Sequence, residues 1–288
     1  MTLWKGAPVA KAMVEEMIPG VEELKVKGVT PRLAVIRVGE REDDLSYERG
    51  LTKRFASAGA EVETAALSAD VTQEELERCI LELNGRKDVH GILMFSPLPG
   101  TLNESRARSL LSPAKDVDCL TDANAYCVYA GKAADGVPGV PGYPPCTPQA
   151  VLELLDFYGY DLTGKNVTVV GRSAVVGKPL AMLLLHRNAT VTICHTKTRD
   201  LAAACKQADL VVVCAGKAGL IGKEQITPGQ SVVDVGIHAG EGGNLCGDLA
   251  VDAPKGMQLA YTPTPGGVGA VTTSVLLKHT VDAAKRSI

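Results

Sequence analysis

Apolar and polar residues recur along the first hundred positions with two alternating periods. Three segments with helical spacing cover residues 8–27, 43–58 and 71–85. Three short apolar or alternating runs, which predict strands, cover residues 33–39, 61–67 and 90–100. The third helix opens with a capping-box pair, Thr72 and Glu75. Strands that alternate with helices in this way indicate parallel βαβ units.

A second α/β region follows a change in composition. Residues 131–147 are rich in Gly and Pro, cannot form regular structure and are the predicted linker. Thr147 then caps a helix that has Pro148 at its first position. The predicted strands cover residues 166–171, 189–194, 208–216 and 231–237, with one more inside 258–267. The predicted helices between and after them cover residues 175–188, 199–207 and 271–287. The pattern predicts an α/β protein with two domains.

Composition narrows the class of function. Net charge is −3 and no basic stripe is present, so nucleic-acid binding is not expected. No apolar run reaches the roughly 18 residues of a membrane helix, and the charged first residues do not form a signal peptide. The eight cysteines have neither C-x-x-C nor zinc-finger spacing. We therefore expect a soluble cytoplasmic protein with reduced, buried cysteines and no metal site.

The most specific local motif lies between a strand and a helix at residues 171–179, GRSAVVGKP. Gly171 ends the strand, Arg172 and Ser173 lie in the turn, and Gly177 and Pro179 lie near the start of the helix. This spacing is not G-x-G-x-x-G, but it serves the same purpose: a tight turn with helix N–H groups directed at a pyrophosphate. The alternative is that the glycines only permit close packing of the turn.

The residues after the second strand of this region indicate which dinucleotide binds. An NAD site places Asp or Glu there to bind the ribose hydroxyls. Here the strand is followed by His195, Thr196, Lys197, Thr198 and Arg199, and the first acid is Asp200. Together with Arg172 in the turn, this favours the 2′-phosphate of NADP over NAD. Lys197 and Arg199 taken alone are equally explained as solvated surface charges.

Several segments, in order, resemble one family, the bifunctional methylenetetrahydrofolate dehydrogenase/cyclohydrolases. The matching segments are Ser46-Tyr47, GIL and PLP within 91–99, KDVD at 115–118, CTP at 146–148, GRSAVVGKP at 171–179, GLI and ITPG within 219–229, VVDVGI at 232–237, and TPTPGGVGAVT at 262–272. The resemblance covers essentially the whole chain.

The resemblance implies a two-domain α/β fold with folate bound in the cleft between the domains. Residues 1–143 with 270–288 would form the folate-binding catalytic domain, and 144–269 a Rossmann-like NADP domain. The family is usually homodimeric through the nucleotide domains. The resemblance also implies an enzyme of one-carbon metabolism that acts on a tetrahydrofolate substrate.

The resemblance also implies roles for individual residues. Asp118 would hold the pterin ring, and a carboxylate suits the paired N–H groups of a 2-aminopterin edge. Pro265, Gly266 and Gly267 would lie against ligand, and Ile237 would contact the cofactor. Tyr47 would stack on or orient the folate. The alternatives are a loop-capping role for Asp118, a plain turn for the glycines, and a surface or core position for Tyr47.

Four positions depart from the family pattern: Leu51, Phe95, Cys119 where Gly is usual, and Ala270 where Pro is usual. The first two bear on the chemistry. The family has Lys four residues after the tyrosine and Gln in the strand GILxQxPLP, and these positions are Leu51 and Phe95 here. Lys53 follows Tyr47 by six residues and faces elsewhere on the helix. Hydride transfer needs positioning rather than a protein base, whereas opening the methenyl bridge needs proton transfer, for which a Lys hydrogen-bonded to Gln is suited. The departures therefore predict a dehydrogenase whose cyclohydrolase activity is lost or strongly reduced.

Three other interpretations remain open at this point. Tyr47 or Lys53 could replace the missing lysine in a fully bifunctional enzyme. The chain could be a non-catalytic folate- or nucleotide-binding relative. It could also be a dehydrogenase of the same fold that uses NAD or another one-carbon carrier.

Overall fold

The computed structural model describes residues 2–240 and 243–288, which divide into two compact units. The N-terminal unit comprises residues 12–146 and 273–288, and the C-terminal unit comprises the described residues of 2–11 and 147–272. Both units combine helices with a parallel sheet, so the predicted two-domain α/β fold is confirmed.

The N-terminal unit is built on a three-stranded parallel sheet in the order β3-β2-β4. Its strands are β2 (Arg32–Val38), β3 (Glu61–Leu67) and β4 (Gly91–Met94). The helices of this part of the chain are α1 (Gly6–Val26), α2 (Glu42–Ser57), α3 (Gln73–Gly85), α4 (Glu104–Leu110), α5 (Asp122–Tyr129) and α9 (Thr272–Arg286). Strand β2 is central and apolar along its length, and its side chains Ala34 and Ile36 lie in one core with Leu76, Ile80 and Ile92. The capping box of α3 is present as predicted, with reciprocal bonds between Thr72 and Glu75.

The C-terminal unit is built on a six-stranded parallel sheet in the order β1-β11-β8-β7-β5-β6. Its strands are β1 (Thr2–Leu3), β5 (Asn166–Val170), β6 (Thr190–Cys194), β7 (Leu210–Val213), β8 (Ser231–Asp234) and β11 (Ala260–Tyr261). The helices are α6 (Cys146–Phe157), α7 (Gly177–His186) and α8 (Leu201–Lys206), and a hairpin joins β9 (His238–Ala239) to β10 (Leu245–Cys246). Strand order reverses around β5, which creates a crevice where β5 and β7 end.

Residues 2–11 pack with the C-terminal unit, whereas the sequence grouped residues 1–143 in one domain, and the predicted domain bounds stay a prediction. Strand β1 pairs in parallel with β11, and the backbone N–H of Trp4 donates to Tyr261. The Trp4 ring then stacks on Tyr158. A two-residue strand leaves no periodic signal, so the pattern of residues could not reveal this pairing.

Several local elements also differ from the prediction. Helices α4 and α5 and strand β1 were not predicted, because each is short and α5 is not amphipathic. Helix α6 begins at Cys146, so Thr147 lies inside the helix rather than capping it. The acceptor for the N–H of Cys146 comes from a residue distant in sequence, Asp118, at 2.9 Å.

Candidate active site

The turn after β5 has no space for side chains at its two glycines. Gly171 has φ of +142°, and a Cβ there would overlap the carbonyl oxygen of Cys214. A Cβ on Gly177 would overlap the carbonyl oxygen of Gly171. Glycine is therefore required at both positions for close packing of the turn, which is the alternative that the sequence left open, and contact of these glycines with a ligand stays a prediction.

Ser173 lies inside the same turn and bonds to the start of α7. Its hydroxyl oxygen accepts the N–H groups of Val176 at 3.1 Å and Gly177 at 3.3 Å, and Pro179 has no N–H. The N–H groups of the first turn of α7 therefore already have partners, which corrects the prediction that they point at a pyrophosphate. Ser173 retains its hydroxyl hydrogen as a donor.

A cavity of about 440 Å³ opens at the ends of β5, β6 and β7. Its lining includes Gly171, Arg172, His195, Thr196 and Lys217, and none of the described lining residues is acidic. Asp200, the first acid after β6, instead caps α8 by accepting the N–H of Ala203 at 2.9 Å. The residues that are present therefore fit a phosphorylated dinucleotide better than one recognised through its ribose hydroxyls.

Two predicted cofactor residues follow β6 in a tight turn. Thr196 lines the cavity, whereas Lys197 is exposed and is not one of the lining residues. The backbone N–H of Lys197 donates to Nδ1 of His195 at 3.0 Å, and the Thr198 hydroxyl accepts the N–H of His195 at 2.8 Å. In the neutral ring of His195 the hydrogen is therefore on Nε2.

A buried carboxylate that sequence analysis missed shapes one wall of the cavity. Asp248 is fully buried and accepts the backbone N–H groups of Ala215, Gly216 and Lys217 at 2.6, 3.0 and 2.9 Å. Its Oδ1 also lies 2.6 Å from Nε2 of His238. The carboxylate therefore holds the loop that carries Lys217 to the cavity. Its only sequence signal was an acid in a Gly-rich stretch far from that loop.

A second buried carboxylate, Asp234 at the end of β8, holds the segment that contains the predicted folate-binding glycines. Asp234 accepts the N–H of Leu249 and the hydroxyl of Thr264, at 3.0 and 3.3 Å. Burial raises the pKa of its carboxyl, and the backbone N–H groups that it accepts oppose this shift. This bond fixes the position of Thr264, the residue that precedes Pro265.

The residues after Thr264 form a glycine turn. Gly266 has φ of +99° and its carbonyl accepts the N–H of Gly6 at 2.8 Å, while a Cβ on Gly267 would lie 2.6 Å from the carbonyl oxygen of Pro263. Ile237, the predicted cofactor contact, is a large apolar side chain left 55% exposed in the same unit. Whether Pro265, Gly266 and Gly267 contact folate stays a prediction.

On α2, the position where the resemblance implies a lysine is occupied by a buried leucine. Leu51 is fully buried and Phe95 is 8% exposed. The Phe95 ring meets the ring of Tyr47 edge to face, with centroids 5.7 Å apart. Tyr47 is 39% exposed, and Lys53 is exposed on a different face of the helix from the buried Leu51 and Phe55.

Asp118 is held against the first residue of α6. Its Oδ1 accepts the Cys146 N–H, so the capping role left open by the sequence is realised. Burial raises the pKa of the Asp118 carboxyl, and the bonds from Cys146 oppose this shift. A carboxylate has further acceptor positions besides the one that Cys146 uses.

All eight cysteines are free, as predicted, and four of them are buried. Cys146 donates to the carbonyl of Val117, and burial raises the pKa of its thiol.

Among the described residues, no group of three or more His, Cys, Asp or Glu side chains is placed to hold a metal ion. No helix within residues 2–240 and 243–288 has the length and hydropathy of a membrane span.

Two parts of the chain match one protein family. Residues 4–118 match the tetrahydrofolate dehydrogenase/cyclohydrolase catalytic domain, and residues 145–288 match the NAD(P)-binding domain of the same family.

Similar proteins match along nearly their whole length. The chain is 47% identical over 282 residues to the bifunctional protein FolD of Carboxydothermus hydrogenoformans, which covers 97% of this chain and 96% of that protein. The solved FolD methylenetetrahydrofolate dehydrogenase/cyclohydrolase of Campylobacter jejuni superposes with a TM-score of 0.94 at 36% identity, covering 100% of both chains. The Trypanosoma brucei enzyme, solved with NADP cofactor and inhibitor, has a TM-score of 0.90 at 38% identity and covers 100% of this chain and 98% of that chain.

Proposed function

Because the chain belongs to the tetrahydrofolate dehydrogenase/cyclohydrolase family, we propose that it oxidises 5,10-methylenetetrahydrofolate to 5,10-methenyltetrahydrofolate with NADP⁺. Its cyclohydrolase activity is lost or strongly reduced. The observation that carries this second part is the burial of Leu51 and Phe95 in place of a polar pair.

The cavity at the end of β5 supports NADP as the cofactor. Arg172 and Lys217 supply positive charge and Thr196 a hydroxyl, and no acid lines the cavity among the described residues. NADP⁺, when bound, supplies the hydride acceptor. The glycines at 171 and 177 allow the backbone to reach its phosphates.

The folate side of the reaction needs residues that orient the substrate rather than a protein base. The nitrogens of the folate supply the electronic push for hydride loss, so the contribution of the protein is positioning. Asp118 would accept N–H groups of the pterin, and the Tyr47 ring would lie against it. Pro265, Gly266 and Gly267 would allow close backbone approach.

Hydrolysis of the methenyl bridge has no equivalent support. It requires water attack and a group that moves protons, and the side chains at positions 51 and 95 carry no titratable atom. The released product would then be the methenyl compound, so a separate hydrolase must open it before the 10-formyl derivative can form.

The bifunctional alternative would need another proton-transfer residue. Lys53 is exposed on α2, two positions from the buried Leu51, which places it on another face of the helix. Tyr47 lies closer, with its ring against that of Phe95, and the role proposed for it is to orient the folate rather than to transfer a proton.

One assay tests both halves of the proposal. Purified protein with 5,10-methylenetetrahydrofolate and NADP⁺ should form NADPH and methenyl chromophore together, and the methenyl signal should then decay at the spontaneous rate. Rapid loss of the methenyl signal would show that the second activity survives. If neither signal changes with NADP⁺ or NAD⁺, the non-catalytic interpretation replaces the proposal.

The homodimer that the family resemblance implies is also part of the proposal. Light scattering of the purified protein should give twice the mass of one chain. A mass of one chain at micromolar concentration would contradict it.

A further inference from the structure

A second cavity, of about 420 Å³, lies in the N-terminal unit where β2 and β4 begin. We call it the basal cavity. The described residues that line it are Asn84, Gly85, Arg86, Lys87, Val89, His90, Ala114, Lys115, Pro141, Ala283, Arg286 and Ser287. Four of them are Lys or Arg and none is acidic. Tyr47, Phe95 and Asp118 lie beyond the opposite ends of these strands, so the basal cavity is separate from the predicted substrate residues.

Three of the four cations have no carboxylate partner among the described residues. The Lys115 ammonium donates to the carbonyls of Leu83, at 3.0 Å, and Arg86, where α3 ends. Arg286 donates to the carbonyl of Ala134 at 3.1 Å and lies over the Tyr143 ring. Lys87 is exposed. These carbonyls and the ring fix the position of two cations without neutralising them.

Two acids near the basal cavity already have cationic partners. Asp282, one turn before Arg286 on α9, pairs with Lys285 at 3.6 Å. Asp88 accepts bonds from the guanidinium groups of both Arg86 and Arg32, which hold the pKa of its carboxyl far below the usual range. Arg86 also pairs with Glu63 at 2.9 Å. The positive charge of Lys87, Lys115 and Arg286 is therefore left for a ligand.

His90 adds a neutral donor to the cavity wall. It is only 6% exposed, and its Nδ1 accepts the backbone N–H of Arg32 at 3.1 Å. In the neutral ring the hydrogen is therefore on Nε2, the nitrogen that remains available to a ligand. Burial lowers the pKa of His90, and the charges of Lys115 and Arg32 lower it further, so the ring is neutral at pH 7.

We propose that the basal cavity binds the phosphoryl group of a small phosphorylated molecule. Lys87, Lys115 and Arg286 together carry more positive charge than a ligand with one carboxylate would neutralise. A phosphate dianion fits better, because it carries two negative charges and its oxygens accept several charge-assisted hydrogen bonds at once. The volume exceeds that of the phosphoryl group, and Val89, Pro141 and Ala283 supply an apolar wall for the rest of the molecule.

The test uses full-length protein saturated with NADP⁺, so that the nucleotide cavity is already occupied. Inorganic phosphate and ribose 5-phosphate are titrated calorimetrically. Ionic strength is held constant, because added salt screens the charges of the cavity and would itself weaken binding. Both should bind, and tighter binding of ribose 5-phosphate would show that the cavity also contacts the part of the molecule beyond the phosphoryl group. Binding should weaken about 10-fold in Lys87→Ala, as for loss of one charged hydrogen bond.

Three variants separate the proposal from a general charge effect. Arg286→Gln should weaken binding, and Arg286→Lys should restore part of it. Lys27→Ala removes an exposed lysine of the same unit outside the cavity and should bind like the parent protein.

An NMR measurement reports the location directly. The ring signals of His90 should shift on addition of phosphate, and those of His186 in the other unit should not. The proposal fails if NADP⁺-saturated protein binds neither phosphate compound, whether or not it binds citrate. It also fails if Lys27→Ala weakens binding as much as Lys87→Ala.

Discussion

Leu51 and Phe95 are both buried. A lysine at position 51 would need a hydrogen-bonding partner, and a glutamine at position 95 could supply it. A lysine introduced alone at the fully buried position 51 would be a buried charge, at a cost of several kcal/mol unless a polar partner is introduced with it. The two substitutions therefore depend on one another, and a test has to change both residues together.

The double variant Leu51→Lys with Phe95→Gln should hydrolyse 5,10-methenyltetrahydrofolate at least about 10-fold faster than the parent protein. A positioned general base typically contributes at least about 100-fold, and part of this is expected in an unoptimised site. Decay of the methenyl absorbance measures the rate. The control pair, Leu51→Met with Phe95→Leu, should stay at the spontaneous rate. A folded double variant that also stays there would show that the cyclohydrolase defect lies elsewhere.

Arg172 is expected to decide between NADP⁺ and NAD⁺. It lines the nucleotide cavity beside Thr196, and the acid that would bind a ribose hydroxyl is absent from that cavity among the described residues. Arg172→Ala should raise the KM for NADP⁺ about 10- to 100-fold, which corresponds to the loss of one charged hydrogen bond. The KM for NAD⁺ should stay nearly unchanged. Initial rates with both cofactors measure this ratio. Lys206→Ala, an exposed lysine at the end of α8, serves as the control. An equal rise for both cofactors would rule out recognition of the 2′-phosphate.

The raised pKa of Asp118 makes folding depend on pH in a defined direction. The folded protein holds this proton at pH values where the unfolded chain, with a pKa of about 3.9, has released it. The contribution of Asp118 to stability is therefore largest below pH 4 and falls as the pH rises through the raised pKa. Asp118→Asn stays neutral and keeps an oxygen for the Cys146 N–H. The unfolding free energy of the parent minus that of the variant, from urea titrations, should fall between pH 4 and pH 7. A difference that rises with pH would contradict the assignment.

At the scale of elements, Asp248 connects the loop after β7 to strand β9. The loop residues 215–217 have no regular structure to accept their N–H groups, and the carboxylate accepts all three. Positions 215 and 217 also line the nucleotide cavity, so the stability of this loop and the binding of cofactor should depend on the same side chain.

Asp248→Ala should destabilise the protein by at least about 3 kcal/mol, because each buried N–H left without an acceptor costs about 1–3 kcal/mol. It should also weaken NADP⁺ binding. Urea unfolding and cofactor titration measure the two effects. Asp252→Ala removes an exposed acid from the following segment and should change neither. Normal cofactor affinity in a destabilised Asp248→Ala protein would show that the loop does not contribute to the cofactor site.

At the scale of the whole molecule, a ligand that binds only the folded state raises stability by mass action. NADP⁺ at 100 times its Kd should stabilise the protein by about 2.7 kcal/mol, and NAD⁺ at the same concentration should stabilise it less. Thermal unfolding with each cofactor checks this difference. Equal shifts of Tm would indicate that the cavity does not recognise the 2′-phosphate.

The sequence by itself determined the longer helices and strands and the need for glycine in the turn after β5. Residues 33–39 were recognised as a strand because they form a short, continuous apolar run, and residues 71–85 as a helix because of a capping box and apolar residues at helical spacing. Gly171 and Gly177 could be singled out because only glycine fits where backbone approaches backbone. The sequence also shows apolar residues at positions 51 and 95, where the family resemblance implies a polar pair.

Only the tertiary structure decided which residues meet across long stretches of sequence. Strand β1 joins β11, Asp118 bonds to Cys146, and Asp248 bonds to a loop more than 30 residues before it. None of these contacts has a local pattern, since hydrogen bonds to a buried carboxylate depend on where the chain returns and not on residue spacing. For the same reason the cations of the basal cavity, scattered between positions 86 and 286, became one group only when the chain folded.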